Sequence, residues 1–134
     1  MKVQELVIGQ VLTNNELAEC FQCSTQGGMR RSRRTNTLVL ISDQTKIYHD
    51  RWHGNILHYT GMGLTGDQNF DYMQNRTLNA SNHNGVGVHL FEVLRPREYT
   101  YLGMVRLAAE PYMDTQPDRS GNIRQVCMFP LTRI

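Results

Sequence analysis

The sequence predicts a mainly β fold with one or two short helices, an α+β chain that closes into a compact, strongly curved β-barrel. Short apolar or alternating runs, typical of strands, recur at residues 37–42, 56–60, 86–94, 99–107 and 124–131. A clear helix signal occurs only near residues 13–21. The length of 134 residues suits one closed core, so we expect a single domain over residues 1–134.

Composition narrows the class of protein. Hydrophobic residues make up 40% of the chain and charged residues 19%, with a formal net charge of +2. No apolar run approaches the roughly 18 residues that a membrane-spanning helix needs, so we expect no membrane partner. The first residues show no signal-peptide pattern, and the three cysteines cannot all pair. We therefore expect a reducing, cytoplasmic location.

The first helix is predicted from a capping box. Thr13 and Glu16 have the spacing at which each side chain binds a free backbone N–H at a helix start. The helix is expected from about residue 15 to residue 21. Cys20 and Cys23 form a C-x-x-C pattern, but a zinc site needs about four ligands, so we expect packed thiols and neither metal nor cofactor. The buried face is expected to comprise Leu17, Cys20 and Phe21.

An arginine-rich segment follows a glycine-containing loop at residues 26–28. Two interpretations are open. The segment is either a solvated loop or a phosphate clamp, because guanidinium groups match the oxygens of phosphate. The expected phosphate-binding residues are Arg30, Arg31, Arg33 and Arg34.

Residues 46–63 combine aromatic rings with polar groups. They contain two tyrosines, one tryptophan, three histidines and a carboxylate, Asp50, that is the only one between the tyrosines. This mixture suits a pocket for a flat, hydrogen-bonding ligand. Residues 56–60 are predicted as extended, with Leu57 and Tyr59 on one face and His58 on the other.

The second half of the chain carries weaker signals. Residues 63–84 have no clear period and predict a long loop with one helical turn near residues 78–81. Loops of this length in compact domains are usually functional. Residues 114–122 are predicted as a polar hairpin loop.

These motifs resemble the SRA domain, a family that reads modified cytosine in DNA. The family carries a tyrosine, a closely following aspartate, His-Gly-Asn and Tyr-Thr-Gly-x-Gly, which correspond here to Tyr48, Asp50, residues 53–55 and residues 59–63. The chain is most similar to the compact SRA-like domains at the N-terminus of bacterial HNH restriction endonucleases. The resemblance implies a PUA-like curved barrel with a concave face.

The resemblance also implies roles for individual residues. A base inside a duplex must be flipped out before it is read. Tyr48 and Tyr59 would sandwich the flipped ring, Asp50 would accept its amino N–H, and Trp52 would either cap the pocket or anchor its loop. Backbone N–H groups near Thr60 would donate to the ring nitrogen. The expected base pocket comprises Tyr48, Asp50, Trp52, Tyr59, Thr60 and Gly61, and the candidates for entering the duplex are Gly28, Met29, Phe70 and Arg76.

The expected function is recognition of duplex DNA that carries 5-methylcytosine or another 5-substituted cytosine. The domain would be the non-catalytic recognition module of a modification-dependent restriction endonuclease, with an HNH nuclease domain in the same chain or in a partner. A reader of modified RNA, recognition of N6-methyladenine in DNA, a protein-interaction module and an intrinsic nuclease are the alternatives. A carboxylate with backbone donors suits the edge of either cytosine or adenine.

Overall fold

The computed structural model describes residues 1–46 and 50–134. Two helices, α1 and α2, and nine strands, β1 to β9, make up most of the regular structure of these residues, with a short 3-10 helix at Val3–Glu5. The helices are α1 (Asn14–Phe21) and α2 (Gln74–Asn79). The strands are β1 (Val11–Leu12), β2 (Met29–Ser32), β3 (Thr37–Asp43), β4 (Arg51–His53), β5 (Ile56–Thr60), β6 (Gly87–Val93), β7 (Tyr99–Leu107), β8 (Tyr112–Pro117) and β9 (Ile123–Arg133).

The strands form one mixed sheet in the order β2-β3-β6-β7-β9-β5-β4, with β1 beside β7 and β8 beside β9. The β3–β6 pair is parallel, and the other described pairs are antiparallel. The mainly β fold with two short helices confirms the predicted fold class.

The sheet curls until strands from its two ends approach each other. The Tyr59 hydroxyl on β5 lies 2.9 Å from the carbonyl oxygen of Gly28 and 3.1 Å from that of Ile41. The Ile41 N–H also donates to the Gly28 carbonyl, at 2.7 Å. The Tyr59 side chain therefore joins the two ends of the sheet. The described strands at these ends do not pair through backbone hydrogen bonds.

The core has two parts, one on each face of the sheet. Alternate side chains of a strand point to opposite faces, so β3 places Leu38 and Leu40 in one part and Val39 and Ile41 in the other. The first part fills the inside of the curl, and α1 covers the second. A β-bulge after Leu90 shifts the pairing of β6 with β7. Both faces of the central strands are buried, which explains their continuous apolar runs.

The helix α1 agrees with its prediction. Thr13 and Glu16 form the capping box, with bonds of 3.1 and 2.8 Å to each other's backbone N–H. The buried residues of α1 are Leu17, Cys20 and Phe21, as expected. Helix α2 begins four residues earlier than the predicted turn at residues 78–81.

Two predicted loops are strands instead. Residues 29–32 of the arginine-rich segment form β2, and residues 112–117 form β8, which leaves only residues 118–122 as a turn. Both strands pair through backbone groups, so polar side chains do not prevent their formation. None of the helices in the described residues is long and apolar enough to cross a membrane.

Candidate functional site

A cleft of about 1240 Å³ opens at the place where the ends of the sheet converge. Its volume exceeds the roughly 300–1,000 Å³ typical of small-molecule pockets, so it has room for a nucleotide with part of its backbone. The loop before β2, the end of β5 and residues 61–72 form its walls. The predicted site residues that line it are Gly28, Met29, Arg30, Asp50, Tyr59, Thr60 and Gly61.

Asp50 is held in a defined orientation in this cleft. Its Oδ2 accepts from the Ser42 hydroxyl at 2.8 Å, and its Oδ1 accepts from the Thr60 N–H at 2.7 Å. The half-buried carboxylate is therefore an oriented acceptor in the wall of the cleft.

The backbone N–H groups of residues 60–62 all donate hydrogen bonds within the protein. The Thr60 N–H binds Asp50, the Gly61 N–H binds the Cys127 carbonyl at 2.8 Å, and the Met62 N–H binds Asn75 Oδ1 at 2.7 Å. A donor role toward a bound base would require one of these bonds to break. Thr60 and Gly61 instead form the wall that carries Asp50.

Tyr59 forms the floor of the cleft. Its side chain is 2% exposed, and its hydroxyl ties β5 to Gly28 and Ile41. So little of the residue is accessible that the whole face of its ring is not open to a ligand. Tyr48, its proposed stacking partner, lies outside the described residues.

Trp52 lies away from the cleft. It sits on β4, donates from Nε1 to Glu92 Oε2 at 3.1 Å and packs against the first part of the core. Of the two interpretations of Trp52, the contacts match an anchor for its strand.

The four arginines have different environments. Arg30 is 5% exposed, donates to Gly27 and Asn14, and lies over the ring of Tyr99 at 5.7 Å. Arg31 donates to the carbonyls of Ser32 and Thr37 and to Asn36 beside its own strand. Among the described residues that line the cleft, Arg30 is the only member of this group. The exposed pair at the β2–β3 turn is Arg33 and Arg34.

The residues proposed to enter a duplex are also placed differently from one another. Met29 is 5% exposed and belongs to the core, and Phe70 packs edge-to-face on Phe129 with ring centroids 5.6 Å apart. Arg76 is exposed on α2, and Gly28 is exposed on the lip of the cleft.

Two buried amides that sequence reasoning missed shape the cleft wall. Gln68 donates from Nε2 to the carbonyls of Gly61 and Gly63 at 2.7 and 3.2 Å, and its Oε1 accepts from the Cys127 N–H at 2.9 Å. Asn75 is fully buried and bonds to both backbone groups of Met62. The only sequence signal was their position in a segment without periodicity, where a buried amide cannot be told from an exposed one.

The hairpin between β8 and β9 braces the same wall from another side. Arg124 is 4% exposed and donates from Nη1 to the carbonyls of Gly63 and Gly66 at 2.7 and 3.1 Å. Burial tends to raise the pKa of Asp118, but bonds from backbone N–H groups and the nearby Arg124 leave that pKa below its usual value. Further exposed side chains that sequence reasoning missed also line the cleft, among them Lys46, Leu64, Tyr72 and Arg119.

A curled mixed sheet of this kind, with a cleft between its converging ends, is an SRA-like fold. The chain belongs to the ScoMcrA-like SRA domain family, whose model matches residues 8–134. The resemblance seen in the sequence is thereby confirmed. This family reads modified DNA, and the SRA domain is a recognition module rather than a catalytic one.

Solved structures share the fold at low identity. The sulfur-binding and SRA domains of ScoMcrA, complexed with phosphorothioated DNA, match at 16% identity with a TM-score of 0.76, over 97% of this chain and 40% of that one. The modification-dependent restriction endonuclease TagI matches at 19% with a TM-score of 0.73, over 98% and 51%. The SRA domain of SUVH5 with hemi-methylated CG DNA matches at 21% with a TM-score of 0.70, over 97% and 90%.

The chain therefore spans less than half the length of the ScoMcrA chain that it matches. No match is found among curated proteins.

Proposed function

We propose that this chain binds duplex DNA containing a modified base, with 5-methylcytosine or another 5-substituted cytosine as the preferred target. The observation that carries the proposal is the Asp50 carboxylate, oriented by Ser42 and Thr60 inside the cleft. A flipped cytosine presents an exocyclic amino group, which is a donor that a carboxylate accepts. A base still stacked in a duplex cannot reach Asp50, so binding includes extrusion of the base.

The cleft supplies the other contacts that an extruded nucleotide needs. Tyr59 forms the floor, while Lys46 and Arg119 place cationic groups in the lining. We assign phosphate binding to these two residues and to the exposed Arg33 and Arg34. Arg30 acts by holding the loop before β2, because its guanidinium is bonded to that loop.

We further propose that the domain works with a nuclease. The chain matches a minor part of ScoMcrA and about half of TagI, and the latter is a modification-dependent restriction endonuclease. Cutting would then reside in an HNH domain, either in the same polypeptide or in a partner. Such a system would act in the bacterial cytoplasm, where the DNA lies.

The test is a binding panel on one duplex sequence. The duplex carries cytosine, 5-methylcytosine, 5-hydroxymethylcytosine or N6-methyladenine at a single position, and an RNA duplex with 5-methylcytosine forms the last arm. We expect tightest binding to a 5-substituted cytosine in DNA. Equal affinity for all DNA arms would refute modification reading, and preference for the adenine or RNA arm would support one of the alternatives.

Asp50→Asn tests the assigned contact within the same panel. The asparagine amide keeps an oxygen that accepts from the Thr60 N–H. Its NH2 group replaces the other carboxylate oxygen, so a donor would face the amino group of the base. We expect a loss of about 1–3 kcal/mol on the modified duplex, because a buried donor is left unpaired, and little change on the unmodified duplex. Glu110→Gln is the matched control, since it removes the same charge from an exposed residue that does not line the cleft. Unchanged preference in Asp50→Asn would overturn the assignment.

A further inference from the structure

Behind the cleft, a short chain of hydrogen bonds runs from Asp50 to the turn that follows β3. The Ser42 hydroxyl donates to Asp50 Oδ2 at 2.8 Å, and the Ser42 oxygen accepts from Gln44 Nε2 at 3.1 Å. Ser42 is fully buried on β3, whereas Gln44 belongs to the exposed turn. The Gln44 N–H donates to the Val93 carbonyl at 3.0 Å, which fixes the turn against the end of β6. A surface amide is therefore linked to the carboxylate in the cleft wall.

The donors and acceptors in this chain of hydrogen bonds allow one arrangement. An ionised carboxylate only accepts hydrogen bonds, and a hydroxyl group has a single proton to donate. The Ser42 proton therefore points at Asp50 Oδ2, and the Ser42 oxygen accepts from the NH2 group of Gln44. The amide of Gln44 thus directs the Ser42 proton toward Asp50.

The two carboxylate oxygens of Asp50 are held from different strands. Oδ1 accepts from the backbone N–H of Thr60 on β5 at 2.7 Å, and Oδ2 accepts from the Ser42 side chain on β3. The donor on β5 is present whatever side chain occupies position 60, whereas the donor on β3 depends on the hydroxyl of Ser42 and on its direction. Hydrogen bonds donated to a charged carboxylate favour the charged form. Donors on both oxygens therefore favour a carboxylate that only accepts.

We propose that Ser42 and Gln44 are positioning residues that keep Asp50 as an ionised acceptor for the exocyclic amino group of the bound base. This inference rests on the proposed function and adds to it the means by which the site distinguishes an amino group from a carbonyl. A protonated carboxyl group also donates a hydrogen bond. It would therefore tolerate thymine, whose exocyclic group is a carbonyl acceptor. Fixing the Ser42 proton on Asp50 opposes that exchange of roles.

5-Methylcytosine and thymine are a matched pair of probes for this discrimination. Both carry a methyl group at C5, but the exocyclic group is an amino donor in the first base and a carbonyl acceptor in the second. Each base is placed at the same position of one duplex, opposite an abasic site, so extrusion breaks no base pair in either duplex. The measured quantity is the ratio of the two dissociation constants, in which effects common to both duplexes cancel.

Gln44→Glu tests the direction of the Ser42 proton with almost no change in side-chain shape. The introduced carboxylate accepts from the Ser42 hydroxyl, so the proton turns away from Asp50. Gln44→Ala removes the amide but leaves the hydroxyl able to donate to Asp50, and Ser42→Ala removes the hydroxyl itself. The matched control for the added charge is Gln26→Glu, the same substitution at an exposed residue that lines the cleft. Urea denaturation of each variant reports folding.

We expect the parent to prefer 5-methylcytosine, and we expect Gln44→Glu and Ser42→Ala to reduce this preference by roughly 5- to 100-fold. Gln44→Ala should keep most of the preference, because Asp50 retains the donor on β3. Gln26→Glu should weaken binding of both duplexes by similar factors, because repulsion of phosphates does not depend on the base. In an Asp50→Asn background, Gln44→Glu should cause no further loss, since it acts through Asp50.

The outcomes separate this inference from the proposed function. If the parent prefers 5-methylcytosine and both Gln44→Glu and Ser42→Ala keep that preference, the positioning role is overturned while the proposed function stands. Equal losses in Gln44→Glu and Gln44→Ala would show that Gln44 contributes packing rather than the direction of the proton, which also overturns the role. A parent that does not distinguish the two bases would overturn the assigned Asp50 contact and this inference together.

Discussion

At the scale of single residues, Gly61 shows how the cleft depends on one missing side chain. A Cβ at this position would lie 2.7 Å from Asn75 Oδ1 and 3.1 Å from both Cys127 Cβ and Gln68 Oε1. All three neighbours are buried, and both amides are already committed to hydrogen bonds. They cannot move away without breaking the network that shapes the wall around Asp50.

We therefore expect Gly61→Ala to lower the free energy of unfolding by roughly 1–3 kcal/mol, as overpacking of a filled site does. Urea denaturation measures this change. The control is Gly28→Ala, because a Cβ there meets its nearest atoms at 3.6 and 3.7 Å, which is ordinary contact. If both variants unfold at the same midpoint as the parent, the wall around Gly61 is more adaptable than its contacts indicate.

At the scale of elements, the arginine-rich segment divides between a strand and a turn. The strand β2 holds Arg30 and Arg31 against neighbouring backbone carbonyls, and the β2–β3 turn leaves Arg33 and Arg34 exposed. The tip of the β8–β9 hairpin brings Arg119 to the cleft from a distant part of the chain. An arginine on the β2 strand is thus bonded to the protein itself, whereas an arginine on either turn is free to contact a phosphate.

This difference between buried and exposed arginines predicts that Arg30→Ala affects stability and that Arg119→Ala affects DNA binding. Arg30→Ala should destabilise the fold by about 1–3 kcal/mol, because polar groups of Gly27 and Asn14 lose their partner. Arg119→Ala should change stability by less than about 0.5 kcal/mol. It should weaken binding to modified and unmodified duplex equally and flatten the slope of log K against log salt by about 0.9. An unchanged slope would remove Arg119 from the phosphate-binding set.

At the scale of the whole molecule, the sheet is covered on one face by α1, and His89 lies in that interface. His89 is 5% exposed, contacts Phe21 edge-to-face at 5.0 Å, and its Nδ1 lies 2.8 Å from the Tyr101 hydroxyl. Burial lowers the pKa of His89 to about 4. The native state therefore contains the neutral imidazole at pH 7.

The pH dependence of stability follows from this shift. Below the pKa of about 6.5 in the unfolded chain, the unfolded state binds a proton that the native state refuses until about pH 4. Stability should fall as the pH drops through this window, with a slope of up to about 1.4 kcal/mol per pH unit from His89. Urea unfolding at pH 7, 5.5 and 4.5 measures the slope in the parent, in His89→Gln and in the control His83→Gln. A slope that persists in His89→Gln would assign it to other groups.

Elements whose signals are local could be predicted from the amino-acid sequence. The capping box of α1, the buried run of β3 and the alternation of β7 each depend on neighbours in the chain, and each was predicted within one or two residues. The glycine-containing motif at residues 59–63 lines the cleft, but the contacts that require glycine at residue 61 come from Asn75, Gln68 and Cys127, further along the chain. The family resemblance could also be recognised from the sequence, because it depends on the order of these motifs along the chain.

The roles of individual side chains in the cleft could not be predicted, because they depend on tertiary contacts. Burial of Arg30 and Tyr59, and exposure of Tyr72 and Met73, depend on which distant strands meet when the sheet curls. Gln68 is held by Cys127 on β9, 59 residues further along the chain, and Arg119 reaches the cleft from the turn between β8 and β9. Hydrophobic periodicity carries no record of such contacts, because it reports which face of an element is apolar and not what that face meets.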